Sequence, residues 1–126
     1  MNFRFSQRSL RNLQGVHPDL VRVVHRALEL TPTDFLITEG LRTLQRQAQL
    51  VAAGASRTMN SRHLTGHAVD FAPIVGRQVR WDWPLFPPIV RAFKEAAAER
   101  GVAIVCGADW RFRDGPHIEL DRGVYT

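Results

Sequence analysis

The sequence predicts an α+β domain with a small, mostly antiparallel sheet flanked by helices. Three segments place apolar residues at helical spacing, and four short apolar or alternating segments have the length of strands. The two kinds of segment are mixed along the chain without the regular strand–helix alternation that is typical of a parallel sheet. Because 126 residues correspond to about one domain, we expect residues 1–126 to form a single unit.

The first two helices are predicted from apolar stripes. Pro18 suits the first turn of a helix, and the first helix is predicted over about 18–30. Thr43 is a suitable cap for the second helix, and Gly54 is a suitable end. The stripes consist of Leu20, Val23, Val24, Ala27 and Leu28 in the first helix and of Leu44, Ala48, Val51 and Ala52 in the second.

The third helix is predicted from about residue 84 or 88 to residue 100. Pro87 and Pro88 are tolerated only near the start of a helix, and Gly101 is suited to end it. The predicted inner face consists of Ile89, Val90, Phe93, Ala96 and Ala97.

Strands and loops occupy the rest of the chain. The predicted strands cover 34–39, 68–72, 102–106 and 117–120, and a hairpin arm covers 76–83. Segment 1–16 is polar and basic with a turn at Gln14-Gly15, and 54–66 is predicted to be a loop. Cys106, the only cysteine, ends an apolar segment and is therefore expected to be buried.

The composition indicates a globular, basic protein. Apolar residues make up 44% of the chain and charged residues 23%, which excludes a disordered or collagen-like chain. The net charge of +5 favours an acidic partner: nucleic acid, an anionic membrane surface or an anionic cell-wall polymer. The sequence shows neither the apolar stretch of a secretory signal peptide nor a membrane-spanning segment.

Two segments concentrate side chains that bind metals and transfer protons. These segments are Ser61-Arg62-His63-Leu64-Thr65-Gly66-His67-Ala68-Val69-Asp70 and Asp114-Gly115-Pro116-His117-Ile118-Glu119-Leu120. A catalytic zinc site uses three protein ligands and keeps one position open. The candidates for two imidazoles and one carboxylate are His63, Asp70 and His117. From spacing alone, a loop histidine and a turn aspartate without any metal fit equally well.

The remaining histidines are assigned other positions. His17 precedes a helix start and is expected to cap it or lie at the surface, and His25 lies beside the apolar stripe of the first helix. His63 and His67 are four residues apart, but a helical zinc pair requires His-Glu-x-x-His, and no glutamate stands between them. We therefore expect His67 to be a neighbour of the site and not a ligand.

The two segments resemble the motifs of a known enzyme family. Ser61-x-His63-x-x-Gly66-x-Ala68-x-Asp70 resembles the first metal motif of the zinc D-Ala-D-Ala carboxypeptidase and L-alanyl-D-glutamate endopeptidase family, the VanY-like group that includes small phage endolysins. Asp114-Gly115-Pro116-His117 is similar to the second motif, and Thr38-Glu39-Gly40-Leu41-Arg42-Thr43 to the element in which a strand precedes an arginine and a helix. The resemblance implies a hedgehog/DD-peptidase-like zinc peptidase fold, with residues 1–126 as one catalytic domain.

The resemblance also implies roles for individual residues. The zinc ligands, and with them the cofactor Zn²⁺, are matched by His63, Asp70 and His117. Asp114 matches the general base, and Arg42 matches the arginine that contacts substrate and stabilises oxyanion charge. Ser61 is expected near the substrate. Glu119 and Asp109 are candidates to hydrogen-bond the second ring nitrogen of the ligand histidines, and each could equally be a solvated acid.

The implied activity is zinc-dependent cleavage of the L-Ala–D-Glu bond in peptidoglycan stem peptides during bacterial lysis. The alternatives are a D-Ala-D-Ala carboxypeptidase of the same family, a wall-binding module without hydrolysis, and a basic nucleic-acid-binding protein. The last would use Trp81, Trp83 and Trp110 for stacking, yet no nucleic-acid-binding motif is present. Asp114 together with Arg42 argues against a module that has lost hydrolysis.

The expected partners follow from this activity and from the charge. We expect the stem peptide as substrate and an anionic envelope surface as a second contact, bound through the Arg-rich first half, with no nucleic acid. We expect a monomer that is made in the cytoplasm of a bacterial host without a signal peptide. It would act on the periplasmic cell wall after release by another factor.

Overall fold

An antiparallel sheet organises the molecule, which we describe from a computed structural model covering residues 3–126. The helices are α1 (Gln7–Asn12), α2 (Pro18–Leu30), α3 (Leu44–Ala52) and α4 (Phe86–Arg100), and the strands are β1 (Phe35–Glu39), β2 (Ala68–Val75), β3 (Gln78–Val79), β4 (Ile104–Cys106) and β5 (His117–Leu120). The strand order is β1-β2-β5-β4, every pair is antiparallel, and β3 pairs with β2. The predicted α+β class is confirmed. None of these helices is long and apolar enough to cross a membrane.

The hydrophobic core lies between one face of the sheet and helices α2 and α4. Phe35 of β1, Phe71 of β2 and Phe93 of α4 are fully buried, and their ring centres are 5.1–5.6 Å apart. The predicted inner faces of α2 and α4 are buried in the same cluster. Because side chains alternate along a strand, the residues between the core positions of β2 and β5 project from the opposite face of the sheet.

Helix α1 covers the outer edge of β1 and was not predicted from the sequence. The Ser9 hydroxyl accepts a hydrogen bond from the backbone N–H of Ile37 at 3.1 Å. Asn12 Nδ2 donates to the carbonyl oxygens of Ile37 and Thr38 at 2.8 and 3.2 Å. These polar side chains supply the partners that a neighbouring strand would otherwise provide. The helix therefore lacks the apolar stripe on which a prediction depends.

Helix α3 begins after Thr43 as predicted, but the predicted apolar stripe is wrong. The Thr43 hydroxyl accepts from the backbone N–H of Arg46 at 3.0 Å, which confirms the cap. Leu44 is 64% exposed, whereas Gln47 is completely buried. The helix lies at the surface, and the side chain that it buries is this amide.

Several predicted boundaries shift in the structure. Strand β4 begins only at Ile104, and β2 continues to Val75, beyond the predicted end. The predicted loop contains a short 3-10 turn, Arg62–Thr65. Helix α4 begins at Phe86, after a further 3-10 turn. The predicted hairpin arm is confirmed in part. Strands β2 and β3 form a hairpin with its turn at Gly76-Arg77, where φ is 58° and 66°, but β3 ends at Val79 and a 3-10 turn begins at Trp83.

Candidate active site

The face of the sheet opposite the core carries two of the three predicted metal ligands. Asp70 of β2 is the direct cross-strand partner of His117 of β5. Their neighbours Val69 and Ile118 are buried in the core, so the alternation of the strands directs Asp70 and His117 to the other face. The register of one strand pair thus fixes the distance between these two side chains.

A 3-10 turn immediately before β2 supplies the third side chain. The turn, Arg62–Thr65, is capped by Ser61, whose hydroxyl accepts from the backbone N–H of His63 at 3.2 Å. Gly66 ends the turn with φ 74°, and a Cβ there would lie 2.4 Å from a backbone oxygen, so the position requires glycine. The short turn confirms that His63 and His67 do not form a helical pair.

The other histidines lie outside this cluster. His17 caps α2, since its Nδ1 accepts from the backbone N–H of Asp19 at 3.0 Å, which confirms the capping prediction. His25 is exposed, and its ring centre is 5.3 Å from that of Phe5. His67 is not part of the cluster, as expected.

The three predicted ligands converge on one point. One ligand atom from each of His63, Asp70 and His117 lies within 4.8 Å of the other two. Asp70 Oδ1 is 3.3 Å from His63 Nε2 and 3.3 Å from His117 Nδ1. Within residues 3–126, Asp70 Oδ1 and His63 Nε2 are buried without a hydrogen-bond partner. Such atoms are costly unless they bind something, so this donor set fits a divalent metal ion.

The remaining ring nitrogen of each histidine is held by an acceptor. His63 Nδ1 is 2.8 Å from the carbonyl oxygen of Gly40, and His117 Nε2 is 2.8 Å from Glu119 Oε1. A proton on each of these nitrogens leaves the nitrogen that faces Asp70 free to bind a metal. The prediction for Glu119 is confirmed.

Asp109, the second candidate acceptor, does not contact a ligand histidine. It lies in a turn after β4, and its carboxylate pairs with Lys94 of α4 at 2.8 Å. The acceptor for His63 is the carbonyl of Gly40 instead. Sequence reasoning missed it because every residue has a backbone carbonyl, so the side chain gives no signal.

The cluster is strongly polarised. Burial alone would raise the pKa of Asp70, but the close approach of His117 and His63 outweighs burial, and the pKa lies below its usual range. Burial would lower the pKa of His117, but Asp70 and Glu119 together raise it to about 9. The ionised Asp70 carboxylate therefore places a negatively charged oxygen between the two imidazoles, where a cation can bind.

Arg42 lies beside the cluster in a fixed, buried position. Its Nε and Nη2 donate to the two carboxylate oxygens of Glu39 at 2.7 and 2.8 Å. Its Nη1 donates to Gln47 Oε1 at 2.7 Å, and Nη2 lies 3.6 Å from Asp70 Oδ2. Sequence reasoning missed Glu39 and Gln47. The acid three residues before Arg42 was an available signal, whereas the helical pattern of α3 gave none for Gln47.

Asp114 faces the same space with its carboxylate free. Within the described part of the chain, that carboxylate makes no hydrogen bond or ion pair. Loss of solvation and the negative charge of Asp70 raise the pKa of Asp114. The backbone is held by a hydrogen bond from Asp114 N to the carbonyl of Gly107 at 2.9 Å. A Cβ at Gly107 would lie 2.4 Å from the Asp114 carbonyl oxygen, so this contact requires glycine.

The metal-ligand candidates, Arg42 and Asp114 line one open cavity of about 340 Å³. The predicted site residues that line it are Ser61, Arg42, His63, Asp70, Asp114 and His117. Trp110 forms part of the wall, with its ring centre 5.1 Å from that of His117. The cavity thus combines a cluster that fits a metal ion, a carboxylate that can exchange a proton and a guanidinium.

Sequence comparisons identify similar proteins along the whole chain. The family model described as phage L-alanyl-D-glutamate peptidase matches residues 1–126. The L-alanyl-D-glutamate peptidase of Escherichia phage T5 is 40% identical over 129 residues, which cover 99% of this chain and 94% of that protein. The L-alanyl-D-glutamate peptidase of Listeria phage A118 is 31% identical over 129 residues, 99% of this chain and 45% of that protein.

Solved structures show the same fold. The crystal structure of the Serratia marcescens L-Ala D-Glu endopeptidase ChiX matches with a TM-score of 0.92 and 45% identity, over 98% of this chain and 94% of that one. The vancomycin-resistance D,D-dipeptidase VanXYg, in complex with a D-Ala-D-Ala phosphinate analogue, matches with a TM-score of 0.56 and 17% identity. That match covers 83% of this chain and 50% of VanXYg, and it shows a shared fold alone.

Proposed function

Since the chain belongs to the phage L-alanyl-D-glutamate peptidase family, we propose that it hydrolyses the amide bond between L-Ala and D-Glu in peptidoglycan stem peptides. The convergence of His63, Asp70 and His117 in one open cavity with Asp114 carries the proposal. An enzyme of this kind would act on the bacterial cell wall as a phage endolysin.

We infer that the metal is Zn²⁺, which the side chains of His63, Asp70 and His117 would hold. Two imidazoles and one carboxylate on the wall of an open cavity match the ligand composition of catalytic zinc sites, which leave room for water or substrate. Bound zinc would activate water as the nucleophile and polarise the scissile carbonyl. Gly40 and Glu119 fix the ring orientation of the two histidines before any metal arrives.

Asp114 is the proposed general base. Its unpaired carboxylate can accept the proton of the attacking water and return it to the amino group of D-Glu as that group leaves. Loss of solvation and the negative charge of Asp70 raise the pKa of this carboxylate, which makes it a stronger proton acceptor.

Arg42 is proposed to stabilise the negative charge that develops on the carbonyl oxygen. Nη1 and Nη2 each carry a second N–H beyond those that Gln47 and Glu39 accept. Because both partners hold the guanidinium in place, little reorganisation accompanies the reaction. Ser61 is proposed to contact the substrate from the adjacent wall of the cavity.

Mass spectrometry of digested peptidoglycan tests this function. We expect fragments with new L-Ala carboxyl ends and new D-Glu amino ends, a loss of digestion with a chelator, and recovery with added Zn²⁺. Release of terminal D-Ala would instead support a D-Ala-D-Ala carboxypeptidase. The absence of any fragments from metal-loaded protein would contradict hydrolysis and favour the wall-binding or nucleic-acid-binding alternatives.

A further inference from the structure

The proposed reaction brings a negative charge into the cavity, and the present inference rests on that reaction. D-Glu has two carboxyl groups; one continues the peptide, and the other remains a free carboxylate close to the scissile bond. Four carboxylates already line the cavity, those of Glu39, Asp70, Asp114 and Glu119. The proposed Zn²⁺ and Arg42 are both assigned to the scissile carbonyl, so this further carboxylate needs a cation of its own with free hydrogen-bond donors.

Three arginines line the cavity, and two of them are held by several hydrogen bonds to the protein. Arg42 is buried and bonded to Glu39 and Gln47. Arg62 Nη2 donates to two backbone carbonyl oxygens near the end of the chain, at 2.8 and 3.3 Å. Arg122 is therefore the cavity arginine with the most unused hydrogen-bonding capacity.

Arg122 is both accessible and close to the proposed reaction centre. Its side chain is 57% exposed. Within residues 3–126, its hydrogen bond to the protein runs from Nε to Glu119 Oε2, a distance of 3.4 Å. That distance is long for a charge-assisted hydrogen bond. The other oxygen of Glu119 holds His117, so Arg122 lies one side chain away from a proposed metal ligand.

The backbone beneath Arg122 is fixed although its tip is exposed. In the turn after β5, Asp121 Oδ1 accepts from the backbone N–H of Gly123 at 2.7 Å. The carbonyl oxygen of Asp121 accepts from the N–H groups of Val124 and Tyr125 at 3.2 and 2.8 Å. Such an anchor limits the ordering that binding requires, while Nη1 and Nη2 remain available for a bidentate contact.

We propose that Arg122 binds the free carboxylate of the D-Glu residue and makes the enzyme selective for glutamate over its uncharged amide. Arginine suits this role because its planar fork of N–H donors matches the two oxygens of a carboxylate. Arg122 is thus a specificity-determining residue at the leaving-group side of the scissile bond.

Two peptides that differ in one group test the proposal. One contains L-Ala–D-Glu, and in the other the free carboxylate of D-Glu is a primary amide. We expect wild-type kcat/KM to favour the carboxylate peptide by about 10- to 100-fold, the range of a hydrogen bond between charged groups. In Arg122→Gln, that preference falls to within about threefold of unity while the amide peptide is cut as before, and Arg122→Lys keeps part of the preference.

Controls separate this role from a general effect of charge or folding. Arg100→Gln removes the same charge from the end of α4, outside the cavity, and keeps the wild-type preference. Arg122→Gln binds Zn²⁺ with wild-type affinity in a titration. An unchanged preference in Arg122→Gln, or an equal loss on both peptides, overturns the inference. If the wild-type enzyme cuts both peptides equally, the proposed function stands and the inference about Arg122 is overturned. If the wild-type enzyme cuts neither peptide, both are refuted.

Discussion

Gln47 shows how one buried amide can organise a site. Its Oε1 accepts from Arg42, and its Nε2 donates to Ser56 Oγ at 2.9 Å and to the carbonyl of Thr58 at 2.5 Å. A single side chain therefore connects the guanidinium to the loop that forms one wall of the cavity. The helical pattern assigns an amide to the solvent side, and only the positions of its three partners explain its burial.

Replacement of Gln47 separates these two connections. Gln47→Leu leaves Arg42 Nη1 and the Thr58 carbonyl without partners, and we expect a loss of about 2–3 kcal/mol in the free energy of unfolding together with a lower kcat. Gln47→Glu keeps an acceptor for Arg42 but no donor for Thr58, so we expect a smaller change in kcat and a higher KM. Urea unfolding and peptide kinetics measure both, and wild-type stability and activity in Gln47→Leu would contradict this role.

Asp114→Asn tests the proposed general base with little change in shape. The amide cannot accept the proton, so we expect kcat to fall by about 100-fold or more, with unchanged Zn²⁺ stoichiometry. His63→Ala is the matched comparison, because it should lose the metal as well as activity. Metal analysis and kinetics on the same preparations separate the two effects. Activity of Asp114→Asn within a few-fold of wild type would exclude Asp114 as the base.

Cys106 is expected to be unreactive in the folded protein. The thiol is 3% exposed, and burial raises its pKa to about 11. Only the thiolate reacts with alkylating agents, and at pH 8 about one thiol in a thousand would be ionised. We expect slow labelling by iodoacetamide at pH 8 and fast labelling in guanidinium chloride. Immediate, complete labelling of the folded protein would show that the thiol is accessible.

At the scale of elements, a helix could be predicted from the sequence where it packs through an apolar face, and not where it packs through polar side chains. Helices α2 and α4 were predicted because their apolar faces cover the sheet, so the stripe in the sequence and the buried face coincide. Helices α1 and α3 contact the molecule through Ser9, Asn12 and Gln47, and polar contacts of this kind leave no periodic pattern. The same limit hides the Gly40 carbonyl, whose position depends on the tertiary structure.

The sequence predicted those residues of the candidate site that lie within recognisable motifs. The spacing within two segments offered His63, Asp70 and His117 as candidates, and the family resemblance made them ligands and added Asp114 and Arg42; the structure brings all five to one cavity. The contacts that hold these groups come from distant parts of the chain. Glu39 and Arg122 illustrate this, because their importance depends on which side chains they meet after folding.

Gly40→Ala tests the packing of α1 against the strand that leads to the site. A Cβ at Gly40 would lie 1.9 Å from the carbonyl oxygen of Asn12, so we expect a loss of about 3 kcal/mol or more in the free energy of unfolding. Zn²⁺ affinity should fall too, because the Gly40 carbonyl holds His63. Gly54→Ala is the control. A Cβ at Gly54 would meet open space, and because φ there is 77° we expect a loss of about 1 kcal/mol in the free energy of unfolding. Equal effects of the two variants would contradict this packing argument.

On the scale of the whole molecule, charge is distributed unevenly. The cavity is lined by four acidic side chains and three arginines, whereas Arg4, Arg8 and Arg11 are exposed on and before α1. In the part of the chain that the structure describes, these three arginines make no ion pair, unlike Arg22 and Arg26 of α2. We therefore propose that the α1 side of the molecule attracts the anionic cell envelope independently of catalysis.

The effect of salt concentration distinguishes electrostatic binding to the cell wall from catalysis in the cavity. Exposed charges are screened over about 8 Å at physiological ionic strength and more strongly at higher salt, so binding to isolated cell walls should weaken as salt increases. Hydrolysis of a short soluble peptide should change much less, because its contacts lie inside the cavity. A variant with Arg4→Gln, Arg8→Gln and Arg11→Gln should sediment less with walls but keep its peptide kcat/KM. The matched variant with Arg77→Gln, Arg91→Gln and Arg100→Gln has the same net charge, and equal wall binding by the two variants would assign the attraction to total charge and exclude a specific role for the α1 side.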